Sequence, residues 1–179
     1  MPRLKTRQIA LRPQDLVVLL KIAVAAARHF TYASLASELK MSASEVHGSV
    51  ARAQLARLAA TAVDSGPQVI RPALTEFVLH GAMYSFPAVS GPVARGMPTA
   101  YAGPDLRTEL ALGEELVPVW PKSTGGTRGT ALYPLYPSVP QAAENDETLY
   151  RVLSLFDAIR IGSARERGLA TTMLMKLLA

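Results

Sequence analysis

Apolar residues recur at a helical period near both ends of the chain and lose that period in between. Pro13 suits the first turn of a helix, and Leu16, Leu19, Leu20 and Ala23 follow at helical spacing. A second helix is marked by Thr31 as N-cap and by Tyr32, Leu35, Ala36 and Leu39 on one face. The third opens with Ser42-Ala43-Ser44-Glu45, where Ser42 caps the amide near Glu45 and Glu45 reaches back, the capping-box arrangement. Val46, Val50 and Ala53 supply its inward stripe. Two short apolar runs around Asp64-Ser65-Gly66-Pro67 then predict a small β-hairpin, and Pro72 begins a fourth helix with Leu74, Phe77, Val78 and Gly81 on one side. At the far end Leu149, Val152, Leu153, Phe156 and Ile159 form a stripe that stops near Gly162, read as a glycine C-cap. Ser163 and Glu166 make a second capping box for a last, apolar helix.

The span 85–140 has a different texture. It holds seven of the twelve glycines, nine of the thirteen prolines and the single tryptophan, Trp120, so long regular elements are not expected there. Aromatic residues nevertheless keep falling between prolines, as in Tyr84-Ser85-Phe86-Pro87 and Leu132-Tyr133-Pro134-Leu135-Tyr136-Pro137, unlike a flexible low-complexity linker. The expectation is an ordered but irregular strap packed on helices. The chain therefore divides into residues 1–84 (basic arm, three helices, hairpin and linking helix) and residues 85–179 (strap and two C-terminal helices). The fold class is mainly α with a small β-hairpin.

Charge sharpens this division. The net charge is +5, and residues 1–71 carry ten Lys/Arg against four acids while the remainder carries nine against ten. The positive excess thus lies in the N-terminal part, which favours a polyanion partner for it. Arg3, Lys5 and Arg7 form a basic arm that either is solvated or follows phosphates. The chain has no cysteine, which removes disulfides, thiolate metal sites and cysteine nucleophiles. The run Leu16–Ala27 is broken by Lys21 and is too short to span a bilayer, so the expectation is a cytoplasmic protein without a membrane segment.

With Val46, Val50 and Ala53 turned inward, Ser44, His47, Gly48, Ala51 and Arg52 face outward. Ser42, Ser44 and the amides at the helix start are suited to a phosphate, His47 to a base edge or phosphate, and Arg52 to guanine or a backbone oxygen. Gly48 and Ala51 are small enough to admit a close approach. Gln68 and Arg71 lie at and after the hairpin, where they would reach a minor groove. The stretch Tyr32-Ala33-Ser34-Leu35-Ala36-Ser37-Glu38-Leu39-Lys40-Met41-Ser42-Ala43-Ser44-Glu45-Val46 resembles the core of MarR-like bacterial winged helix-turn-helix regulators. That resemblance covers roughly residues 13–71. It implies a DNA-binding transcriptional regulator, a repressor acting as a homodimer on its own promoter, with double-stranded DNA as partner. Segments beyond it, including Leu155-Phe156-Asp157-Ala158-Ile159-Arg160, resemble bacterial winged-helix proteins encoded beside toxin-like genes. They imply an antitoxin-like alternative that binds a protein partner through the C-terminal region. Winged helices used only for protein contact, or two plain core helices, also fit the pattern.

Other chemistry is sparse. His29, His47 and His80 have no metal-ligand spacing, and His80 reads as a partly buried packing residue beside Phe77 and Tyr84. Ser123-Thr124-Gly125-Gly126-Thr127-Arg128-Gly129-Thr130 lacks the Gly-Lys-Ser/Thr ending of a phosphate loop and reads as a mobile turn. The expectation is a binding protein, with no catalytic residues, metal or cofactor.

Overall fold

The computed structural model describes residues 9–25, 28–62, 66–110 and 116–179. Helix α1 (Pro13–Val24) starts with Pro13 at its first position and is buried without interruption from Asp15 to Ala23. Its nearly unbroken apolar sequence has this consequence: a helix apolar all round must be covered on every side. Helices α2 (Tyr32–Leu39) and α3 (Ala43–Leu55) pack on each other, and α3 packs on α1. The Thr31 hydroxyl accepts from the Ser34 amide at the start of α2, and Ser42 caps α3 as its sequence predicts. Lys40 closes α2 in the left-handed region (φ 56°), which turns the chain sharply into α3.

Strands β1 (Ala59–Ala62) and β2 (Gly66–Val69) then pair antiparallel, with Ala60 opposite Gln68. The fourth helix runs as α4 (Arg71–Glu76), a π-helical turn (Phe77–Gly81) and α5 (Ala82–Ser85). Its buried side is Leu74, Val78 and Ala82, while His80 is 70% exposed rather than packed. The sequence placed His80 beside Phe77, but the widened π turn leaves it on the solvent side near Glu76.

Residues 85–140 are more regular than their composition suggests. Strand β3 (Ser90–Pro98) is nine residues long and pairs antiparallel with both β4 (Pro118–Pro121) and β5 (Thr127–Leu132). Its register with β5 shifts between Ser90 and Val93, β4 also meets β5 in parallel, and the three strands close into a barrel. Closure at this size requires backbones to touch. A Cβ on Gly96 would lie 2.1 Å from the Trp120 carbonyl oxygen, and one on Gly129 2.1 Å from that of Val117. Gly129, read from sequence as part of a mobile turn, is therefore, with Gly96, what lets the barrel shut. Short helices α6 (Pro104–Arg107) and α7 (Val139–Ala143) pack on the C-terminal helix that begins at Glu147.

Helix α8 (Glu147–Ile161) is buried from Val152 to Ile159, and α9 (Ala164–Leu178) lies against it. Gly162 has an ordinary φ of −68°, not the left-handed cap its position suggested. It is tolerated for another reason: a Cβ there would meet the Ala158 carbonyl at 2.5 Å. One hydrophobic cluster runs from Leu16 in α1 through Phe156 in α8 to Leu178 in α9, crossing the expected boundary at residue 84 without a break. Ala170, Leu174 and Leu178 of α9 are spent in that cluster.

Two buried ion pairs tie the layers together. Asp15, in the first turn of α1 and 0% exposed, accepts from Nε and Nη2 of Arg52 on α3 at 2.8 and 2.6 Å and from the Arg12 amide at 2.9 Å. Asp157, on α8, accepts from Arg160 Nη2 at 2.5 Å, from the Thr99 hydroxyl at 2.8 Å and from the Trp120 indole at 2.6 Å. The second node pins the end of β3 and the middle of β4 to α8. Tyr150 of α8 adds a hydrogen bond to the Pro98 carbonyl at 2.6 Å, and burial pushes its phenol up to about 12.

Candidate nucleic-acid interface

The outer side of α3 is the surface that the sequence singles out, and its two sides differ sharply. Val46, Val50 and Ala53 are buried against α1 and α2, whereas Ala43, Ser44, His47 and Ala51 are exposed. The inward stripe and this part of the outward face follow directly from the helical period. His47 is held in place because its ring stacks on Tyr32 of α2, with centroids 3.7 Å apart and planes 13° apart. One ring face is covered, and the side chain remains exposed to solvent.

Several of the expected contacts are otherwise engaged. Ser42 is the N-cap, and its hydroxyl and amide both bond to the Glu45 carboxylate at 2.7 and 2.8 Å. The Tyr136 hydroxyl, from the segment after β5, donates to the same carboxylate. The Tyr136 bond, together with those from Ser42, holds Glu45 down at about 2, well below its ordinary 4.5. A carboxylate therefore already sits at the start of α3, where the sequence suggested a phosphate. Gly48 is half-buried beneath the Arg52 guanidinium, which a Cβ would approach to 3.1 Å.

Arg52 does not point outward as its helical position implied. Its guanidinium lies along α3 and turns to Asp15, leaving the side chain 17% exposed. A buried carboxylate demands a partner more strongly than water rewards a free arginine, which accounts for the inward turn. Arg71 is likewise withdrawn. It donates to the Ala23 carbonyl at 2.8 Å and the Leu178 carbonyl at 2.9 Å, clamping the end of α1 to the end of α9. Gln68 stays exposed on β2. Arg3, Lys5 and Arg7 lie outside the described residues.

The basic excess is thus partly internal. Lys21 is buried between Glu38, at 2.6 Å, and Asp146, the N-cap of α8. Arg28 shares Glu38 and lies over the Phe30 ring at 4.8 Å. The Lys21 and Arg28 bonds hold the Glu38 carboxyl below its ordinary value, against burial acting the other way. These groups line a cleft of about 530 Å³ between α1, α2 and the start of α8. Among the described residues of this part, Arg12, Lys40 and Arg57 keep exposed side chains with no ion pair. Lys40 and Arg57 stand just before and just after α3, positions that the sequence reading passed over.

No helix among the described residues is long and apolar enough to cross a membrane, and none of their His, Asp and Glu side chains gather into a metal-holding group. Comparison of the chain with protein-family models, with curated proteins and with solved structures finds no match.

Proposed function

We propose that this chain is a DNA-binding transcriptional regulator of the winged helix-turn-helix class. In this reading α2 and α3 form the helix-turn-helix, α3 enters the major groove and the β1–β2 hairpin is the wing. The observation that carries it is the split character of α3. One side is sealed by α1 and α2, while Ser44, His47 and Ala51 are exposed on the other, with Leu55, 67% exposed, the one large apolar side chain on that face, in the last turn of the helix. Apart from the stack of His47 on Tyr32 this face packs on nothing in the fold, and the small Ser44 and Ala51 suit close approach to base edges.

Few side chains are then available to read bases, because Arg52 and Arg71 hold the fold together. Affinity rests instead on phosphate contacts from Lys40, Arg57 and Arg12, joined by Arg3, Lys5 and Arg7 of the arm. Repression would follow from occupying a promoter, its own by preference, with a homodimer placing two α3 helices about one duplex turn apart. A salt titration against the DNA upstream of its own coding sequence tests the reading. A specific complex that survives at moderate salt supports it, and equal affinity for scrambled duplex counts against it.

One feature favours the antitoxin-like alternative. Tyr84, Val89 and Tyr133 are exposed large apolar residues, and the latter two line a groove of about 290 Å³ with Leu11, Phe86 and Pro134. Co-purification of a stoichiometric protein partner without any DNA shift would favour that role.

A further inference from the structure

Arg95 on β3 and Arg128 on β5 stand directly opposite each other in the antiparallel register. Opposed residues in such a ladder point to the same face, with Cβ atoms about 5 Å apart. Both side chains are exposed, and neither has a hydrogen bond or an ion pair with another described residue. Like charges placed this way repel and destabilise a sheet. Elsewhere in the described C-terminal half Arg151 is paired with Asp105, Arg160 with Asp157 and Lys122 with Glu144, and the other exposed cations, Arg107, Arg165, Arg167 and Lys176, do not face a like charge across a strand pair.

The two arginines are also mounted rigidly. Each is followed by one of the closure glycines, Gly96 and Gly129, whose backbones lie against neighbouring strands. The Arg95 carbonyl is further fixed by the Lys122 amide at 3.0 Å. Two forked donors held side by side on a stiff element match the oxygens of a phosphate group, which each can take bidentately.

We propose that Arg95 and Arg128 form a phosphate clasp for the backbone of duplex DNA, a second contact that extends the footprint of α3 and rests on the DNA-binding reading of that helix. A short path of chain joins the two surfaces. Tyr136 bonds to Glu45 at the start of α3 and follows Arg128 by eight residues, a reach of roughly 29 Å at most. That is under one duplex turn of about 34 Å.

The test measures binding of the full chain to a 25-base-pair duplex (about that length suffices for two turns) over a range of salt. The Arg95→Gln/Arg128→Gln variant is expected to lower the slope of log affinity against log salt by about 1.8, the value for two lost phosphate contacts. It should lower affinity equally for promoter and scrambled sequence, because backbone contacts carry no base information. Arg95→Lys/Arg128→Lys should retain most of the slope. An unchanged slope in the double glutamine variant overturns the clasp, as does an equal loss of binding to poly-glutamate, which would mark an acidic-polypeptide surface instead. A Ser44→Glu/His47→Glu variant separates the two proposals. If it binds promoter DNA like the wild type while the glutamine pair still lowers the slope, the clasp stands and the α3 reading falls. Should the glutamine pair unfold, the single variants carry the same test at about half the change in slope.

Discussion

The three-helix unit at residues 13–55 and the barrel at residues 90–132 each hang on a buried aspartate, but the two carboxylates do different work. Asp15 joins two helices that are already well formed by their own local signals, through one arginine 37 residues away. Asp157 gathers Arg160, Thr99 and Trp120, and so holds against α8 strands whose own sequence does little to make them strands. The first bond orients a stable unit and removes an arginine from its surface. The second positions the barrel itself. In the helical unit local structure precedes packing, and in the barrel packing makes the local structure.

Breaking the Asp157 node should therefore have the largest effect. Asp157→Ala leaves the Arg160 guanidinium, 3% exposed, without its carboxylate and frees the Trp120 indole as well. A loss of about 5 kcal/mol is expected in urea unfolding, the upper end for a broken buried pair. Trp120 emission should shift to the red even where the helical signal persists. Arg52→Ala should cost less, about 3 kcal/mol, because its side chain is partly exposed and Asp15 keeps the Arg12 amide as donor. Here the Trp120 environment should stay native until the whole chain unfolds. Equal shifts in Trp120 emission for the two variants would erase the contrast drawn between the regions.

Tyr136→Phe probes the seam between them and should have the smallest effect. Glu45 is held at about 2 first by the Tyr136 hydroxyl and then by Ser42. A carboxyl depressed in the folded state contributes stability that is present above about 4.5, its ordinary value, and is lost as pH falls toward 2. Removing the phenol hydroxyl should raise the Glu45 midpoint toward 4.5 in an NMR titration and narrow that acid window. An unmoved midpoint would mean that Ser42 alone sets it.

The same contrast explains how far the sequence could be read. Helices α1 to α3 announce themselves through caps and period, and the inward set Val46, Val50 and Ala53 and the outward set Ser44, His47 and Ala51 follow from spacing alone. Asp15, just ahead of the apolar run, does not announce its burial, and no local rule names Arg52 as its partner. A flexible side chain on a helix flank can swing either way, and burial of the carboxylate decides which. The barrel was less legible. Pro92, Pro98, Pro118 and Pro121 all sit in strands, against the usual propensity, and every pairing is non-local. What could be read there was order without form: aromatic residues between prolines, of which Trp120 packs 5.7 Å from Tyr150 of α8 and bonds to Asp157.

The central claim is that the exposed side of α3 reads DNA, and one comparison tests it most directly. Ser44→Glu/His47→Glu places two carboxylates on that side at exposed positions, at the cost of the stack of His47 on Tyr32. Binding to promoter and to scrambled duplex would be measured by anisotropy at one fixed, moderate salt concentration, beside the unfolding midpoint. The account predicts loss of the preference for promoter DNA with a nearly unchanged midpoint. A variant that discriminates as the wild type does would contradict it.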